Sequence, residues 1–272
     1  MPNQVFFKSS QSMDEVPDQS VALIITSPPY FNIKDYSKNG TQSSKHSESH
    51  AGDLGNIDHY ETYIKEMLQV WLECQRVLEP NGKLCINVPM LPMLKSVYNT
   101  HYNRHIFDLK SDIEHSILKS TKLYLLDLYI WNRTNTTKKL MFGSYPHPTN
   151  FYAQNTSEFI IVFVKDGKPK KVSQERKEAS RLTQQEWVEF TKQIWDIPIP
   201  NKSDLAFGEH AAIMPELLAY RLTKMFSFVQ DVVLDPFVGS GTTLKVAKAL
   251  DRQYIGYEIY PHYERLIRAK LQ

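Results

Sequence analysis

The chain has 272 residues, 42% of them hydrophobic, with 32 Lys and Arg against 30 Asp and Glu. That length suits one large domain, or one domain with an insertion, and supplies ample core. The net charge of +2 says little about an anionic partner, and no apolar run approaches the roughly 18 residues of a membrane span. The opening "MPNQVFFKSSQSMDEVP" lacks the charged-then-apolar layout of a secretory signal, so a cytoplasmic protein without membrane contact is expected.

The first strong strand signal is "VALIIT" (21–26), which runs into "SPPY" (27–30). A proline pair cannot continue a ladder of backbone hydrogen bonds, so the strand must stop there. The result is a rigid turn with two free carbonyls, a serine hydroxyl and an aromatic face. It suits a flat polar ligand and equally a plain strand stop. The stretch 34–56 is rich in Ser, Gly and His and poor in apolar residues, the composition of a functional lid or a disordered loop. His46, His50 and His59 are too irregularly spaced for a metal site, and no metal is expected.

Next, Tyr60, Ile64, Met67, Leu68, Trp71, Leu72 and Leu78 fall on one helical stripe, which stops at Pro80-Asn81-Gly82. "KLCINV" (83–88), "YLLDLYIW" (124–131) and "EFIIVFV" (158–164) are further strands. Cys74 and Cys85 sit in a helical and a strand pattern without any C-x-x-C pair, which argues against a disulfide framework and a structural zinc site. "SYPHPTNFY" (144–152) could line a ligand pocket but reads more plainly as an ordered connection packed on the sheet, and Glu158 could orient a group near the turn but reads more plainly as a solvated carboxylate at a strand start. "VKDGKPKKVSQERKEASR" (164–181) carries seven Lys and Arg against three Asp and Glu. It is a solvated loop on the plain reading and a phosphate-contacting patch on the sharper one. The segment 165–205 as a whole interrupts the strand–helix rhythm and reads as an insertion or small subdomain.

Helical patterns at 215–227 and 242–252 then alternate with the strands "DVVLD" (231–235) and "QYIGYEI" (253–259), which completes an α/β protein with a mainly parallel sheet. In "DVVLDPFVGSGTTLKVAKAL" a strand passes through a tight glycine turn into a helix whose free N–H groups point at whatever lies there. The loop lacks the lysine of a triphosphate-binding motif and has Leu244 where a dinucleotide fingerprint needs glycine. With Asp235 before it and Glu258 at the end of the next strand, the arrangement suits a nucleoside whose ribose hydroxyls a carboxylate accepts.

Taken together, "TSPPY", "RVLEPNGKLCINV", "WNRTN", "SEFIIVFVK", "HAAIMPELLAYRL", "DPFVGSGTT" and "GYEIYPHYERL" resemble the S-adenosylmethionine-dependent DNA amino-methyltransferases over nearly the whole chain. The order, with the Pro-Pro turn before the glycine loop, matches the permuted β class. The resemblance implies a Rossmann-like methyltransferase fold: a catalytic half at 1–164, a small target-recognition insertion at 165–205, and a cofactor-binding half of the same domain at 206–272. It implies that Ser27 and the Pro28 carbonyl accept the hydrogens of a cytosine or adenine amine, that Pro29 fixes the turn, and that Tyr30 stacks on a base flipped out of double-stranded DNA. Asp235, Phe237, Gly239, Ser240, Gly241 and Thr242 would surround the cofactor, Glu258 would take its ribose hydroxyls, and His210 would flank its methionine end.

No cysteine nucleophile is needed for such chemistry. Within the family it resembles, Ser at the first turn position is commoner among N4-cytosine enzymes and Asp among N6-adenine enzymes, so the resemblance favours N4 of cytosine. Rival expectations are a catalytically silent DNA-binding subunit and a methyltransferase acting on RNA or protein glutamine. A cognate restriction endonuclease is a conceivable functional partner, while oligomeric state and recognition sequence are not encoded in these motifs.

Overall fold

The computed structural model describes residues 2–31, 52–94, 104–136, 143–210 and 212–272. His46, His50 and most of the 34–56 loop lie outside these residues. In chain order the elements are β1 (Gln4–Phe6), β2 (Val21–Thr26), α1 (Tyr60–Val77), β3 (Leu78–Pro89), β4 (Leu91–Leu94), β5 (Arg104–Phe107), α2 (Leu109–Ser120), β6 (Leu123–Arg133) and β7 (Ser157–Lys165). They continue with α3 (Gln174–Ala179), α4 (Gln184–Phe190), β8 (Ile194–Ile197), α5 (Glu216–Phe226), β9 (Val232–Asp235), α6 (Thr242–Ala249), β10 (Gln253–Tyr257) and α7 (Glu264–Leu271).

Eight strands form one sheet in the order β1-β10-β9-β2-β3-β7-β6-β8, and β4 pairs with β5 apart from it. Among the described strands of the main sheet, only β7 runs against its neighbours β3 and β6; the other pairings are parallel. Every residue of β2 is buried, as expected for a parallel strand covered on both faces. Ile24 joins Tyr63, Met67 and Trp71 of α1 and Ile113 and Ile117 of α2 on one side. Leu23 and Ile25 join Leu218 and Leu222 of α5 and Trp195 on the other. The two faces of a single strand therefore anchor the two helical layers of the α/β fold.

Helix α1 buries Tyr63, Met67, Val70, Trp71, Cys74 and Val77, so the predicted stripe is turned slightly. The smaller Val70, Cys74 and Val77 occupy the face nearest the sheet and leave Ile64 and Leu68 partly buried at its margin. Pro80-Asn81-Gly82 does not end the helix. It forms a bulge inside β3, where the register jumps from Val21 opposite Leu78 to Leu23 opposite Lys83, with Asn81 at φ +66°.

The largest departure from the sequence reading concerns 165–205. This segment does not stand apart: β8 extends the main sheet by pairing in parallel with β6, and Trp195 and Ile197 enter the second core cluster. Because β7 is antiparallel, Lys165 lies at the opposite end of the sheet from the Ser27–Tyr30 turn. The basic stretch clamps that far end together. Lys165 donates to the carbonyls of Gln75 and Leu78, while Lys170 and Arg176 both pair with the buried Asp231. Residues 165–193 are thus remote from the turn, and the chain returns to it only after β8.

Candidate active site

Strands β2 and β9 are neighbours, so the turn after Thr26 and the loop after Asp235 open at the same end of the sheet, the place where α/β proteins bind ligands. The Thr26 hydroxyl donates to Asp235 Oδ1 over 2.9 Å, and the same oxygen receives the Phe237 N–H at 3.0 Å. The Pro-Pro turn is fixed from the helical layer, since Tyr63 Oη donates to the Pro29 carbonyl at 2.8 Å. One of the two carbonyls expected to be free is therefore engaged. Ser27 Oγ and Tyr30 Oη lie 3.1 Å apart, within hydrogen-bonding distance.

The glycine loop is built around Glu258. Its two carboxylate oxygens accept one backbone N–H each, from Gly239 at 2.8 Å and from Tyr260 at 2.9 Å, and each keeps further acceptor capacity. Gly239 has φ +52°, and a Cβ there would come within 2.7 Å of His210 Nε2, so the loop approaches His210 as only glycine allows. Behind the loop, the buried Lys270 pairs with Asp204 at 3.0 Å and donates to Ser240 Oγ at 3.3 Å and Thr242 Oγ1 at 3.0 Å.

These elements line one cleft at the carboxyl end of the strands, where α/β proteins bind ligands. Of the expected residues, Ser27, Pro28 and Pro29 line it on one side, and Asp235, Phe237, Gly239, Ser240, Thr242, Glu258 and His210 on the other. Two expected residues do not line it. Gly241 caps α6 at φ +89° with its Cα side against Ile267, a turn-forming position. Tyr30 is only 7% exposed, and its hydroxyl is held between Ser27 and Glu158. Among the described residues no cluster of His, Cys, Asp and Glu has metal-site geometry, and no helix is long and apolar enough to cross a membrane.

Burial pushes Asp235 up to about 6, against the hydrogen bonds from Phe237, Thr243 and Thr26 that favour its ionised form. Burial pushes Glu258 up to about 7, against the N–H groups of Tyr260 and Gly239, with the nearby charges of Asp235 and Asp53 adding to the rise. A cavity edged by Asp53, Asp235 and Glu258 and facing the N-terminus of α6 has acceptors for a diol and an ammonium group and donors for a carboxylate. That donor set fits S-adenosylmethionine.

Residues 21–269 match the N6/N4 DNA methylase family. The chain belongs to that family. A type II methyltransferase of Methanocaldococcus jannaschii, M.MjaI, is 30% identical across 99% of this chain and 91% of its own length. M.HinfI of Haemophilus influenzae, also a type II methyltransferase, is 26% identical across 96% of this chain and 66% of its own. Among solved structures, a Thermus thermophilus protein described as a putative DNA modification methylase, in complex with S-adenosyl-L-methionine, superposes with a TM-score of 0.76. It is 30% identical, over 98% of this chain and 92% of that one. The PvuII DNA methyltransferase, cytosine-N4-specific, shares the fold at a TM-score of 0.69 and 18% identity, over 100% of this chain and 87% of that one. The methylase fold expected from the sequence, a mainly parallel α/β sheet with the Pro-Pro turn ahead of the glycine loop, is the one observed.

Several residues of this methylase's site differ from their plainer sequence reading. Glu158 is 6% exposed, not solvated. It accepts from Asn87 Nδ2 at 2.6 Å and from Tyr30 Oη at 3.4 Å, and pairs with Arg133 at 3.2 Å. Its strand starts at the catalytic end only because β7 is antiparallel, a direction no local pattern reveals. Lys270 did leave a signal: it falls three and four residues after Ile267 and Leu266, a cation on the apolar stripe of α7. The 144–152 stretch is not packed on the sheet, for Tyr145 and Phe151 are 74% and 79% exposed.

Proposed function

We propose that this DNA amino-methyltransferase uses S-adenosylmethionine to methylate N4 of a cytosine flipped out of duplex DNA, as the modification enzyme of a restriction-modification system. The observation that carries this reading is the meeting of Ser27, Pro28 and Pro29 with Asp235, Gly239 and Glu258 around one cavity. A methyl acceptor held at the turn would there face a methyl donor held at the loop.

An exocyclic amine is a weak nucleophile because its lone pair is delocalised into the ring. Ser27 Oγ and the Pro28 carbonyl would accept its two hydrogens and favour a tetrahedral nitrogen, and the Tyr63–Pro29 bond would hold those acceptors still. Tyr30, held behind the turn through its hydroxyl and 7% exposed, would stack on the flipped base once base entry uncovers its ring. Bound S-adenosylmethionine supplies an electrophilic methyl group. Glu258 would take its ribose hydroxyls, while Asp235, Phe237 and the 239–242 loop shape the remainder of its site, with His210 packed against Gly239. Positioning supplies most of the catalysis in this scheme. The buried Cys74 and Cys85, whose thiols burial pushes up, take no part.

Support for cytosine rests on the serine at the first turn position. Target recognition is better placed at the catalytic end, where Tyr145 and Phe151 are exposed, than on residues 165–193 at the far end. The test incubates the protein with isotopically labelled S-adenosylmethionine and unmethylated mixed-sequence duplex, with subsequent digestion to nucleosides and mass identification. Label on N4-methylcytosine is expected. Label on N6-methyladenine overturns the use made of Ser27 and keeps the mechanism. Cofactor binding without nucleoside labelling turns the reading toward an RNA or protein substrate, and failure to bind the cofactor toward a silent DNA-binding subunit.

A further inference from the structure

Four strands adjacent in the sheet, β2, β3, β7 and β6, each deliver one polar residue to the same end: Ser27 just after β2, then Asn87, Glu158 and Arg133. These are linked side chain to side chain. Arg133 pairs with Glu158 Oε1 at 3.2 Å and also donates to the carbonyls of Thr156, at 3.2 Å, and Asn155, so the guanidinium is itself fixed. The other carboxylate oxygen, Oε2, receives Asn87 Nδ2 at 2.6 Å and Tyr30 Oη at 3.4 Å. Tyr30 Oη in turn lies 3.1 Å from Ser27 Oγ. A carboxylate this buried is expensive unless charge-paired and hydrogen-bonded, and here both requirements are met by groups converging on the turn.

We propose that Glu158 is a positioning residue for methyl transfer, holding the Tyr30 hydroxyl and the Asn87 amide so that the Ser27–Tyr30 turn keeps the geometry an incoming amine requires. It touches neither the cofactor cavity nor the reacting atoms and acts through Tyr30. The proposal rests on the reading of that turn as the amine-holding element. A carboxylate is needed because it can serve Arg133 with one oxygen and two neutral donors with the other, which a glutamine of the same shape cannot do without leaving Arg133 uncompensated.

The experiment compares wild type with S27A, Y30F, E158Q, Y30F/E158Q and R133Q/E158Q, measuring kcat and KM for duplex DNA, the Kd for S-adenosylmethionine and Tm. E158Q and Y30F are each expected to lower kcat about tenfold, the size of one lost transition-state hydrogen bond. The cofactor Kd should stay unchanged, and the double variant Y30F/E158Q should be no slower than E158Q, because both remove the same link. If E158Q proves unstable, R133Q/E158Q removes the uncompensated charge and is expected to restore Tm while kcat stays low. Wild-type kcat in E158Q or R133Q/E158Q overturns the proposal, as do losses that multiply in Y30F/E158Q, the behaviour of a residue with only a structural role. Full activity in S27A overturns the reading of the turn itself, and is distinguishable because it leaves the Ser27 variant active whatever Glu158 does.

Discussion

Thr26 Oγ1 donates to Asp235 Oδ1 over 2.9 Å, joining the last residue before the Pro-Pro turn to the last residue before the glycine loop. The bond spans 209 positions of chain yet only one strand spacing. A single buried carboxylate oxygen thereby sets the distance between the two halves of the cavity.

Thr26→Val removes that donor while keeping the shape of a β-branched strand residue. Asp235 then remains buried with fewer hydrogen bonds, and stability should fall by about 1–3 kcal/mol. Urea denaturation measures the loss, and a change below a few tenths of a kcal/mol would mean that the Phe237 and Thr243 donors suffice without Thr26.

The pH behaviour of the ligand-free protein follows from Glu258 and Asp235. Both have folded-state values raised above the unfolded ones, to about 7 and about 6, so between the unfolded and folded values the folded protein holds protons the unfolded chain has released. Their contribution to stability accordingly declines as pH rises, from 3.8 to about 6 for Asp235 and from 4.5 to about 7 for Glu258. Glu258→Gln leaves one acceptor oxygen for the two backbone N–H groups of Gly239 and Tyr260, so it is expected to lower the Tm of the ligand-free protein and to abolish most S-adenosylmethionine binding. In the wild type, cofactor affinity should strengthen as pH rises through about 7, because the ionised carboxylate accepts the ribose hydroxyls. Calorimetric titration at pH 6 and 8 checks the sign.

Gly239→Ala places a Cβ at 2.7 Å from His210 Nε2, on a backbone at φ +52°. Backbone strain of about 1 kcal/mol and the clash should together weaken cofactor binding at least tenfold. The double variant Gly239→Ala/His210→Ala relieves the clash and keeps the strain, so it should recover part of the affinity. No recovery would place the damage in the backbone alone.

Lys270→Met keeps the length of the side chain and removes a buried ammonium that serves Asp204, Ser240 and Thr242. Breaking one partner of a buried pair typically costs about 3–5 kcal/mol. Thermal unfolding should shift downward, and cofactor Kd should rise, because the loop loses its support from behind.

Much of this was legible in the sequence where local chemistry decides. The proline pair ended β2 where it had to, the glycine loop came after β9, and the helical patterns at 215–227 and 242–252 became α5 and α6. Illegible features depended on strand direction and sheet order. Glu158 looked solvated because nothing near it shows that β7 runs backward, and the basic 164–181 stretch read as a solvated loop or a phosphate patch because its acceptors, Asp231 and the carbonyls at the end of α1, are distant in the chain. The same cause hid β8, four residues whose partner strand lies more than 60 positions earlier.

Strand β1 lies in parallel beside β10, and Val5, Phe7 and Leu271 pack into one apolar cluster. The early and late parts of the chain are therefore spatial neighbours, and the two halves of the cavity meet through a lateral sheet contact that owes nothing to covalent succession. A chain joined from Leu271 to Gln4 by a tether and opened between Ile197 and Asp204 would present the glycine loop before the Pro-Pro turn while keeping β1, Asp204 and His210 with the elements they support. For this architecture, the order in which the ribosome writes the two motifs is a matter of wiring, to which the chemistry is indifferent.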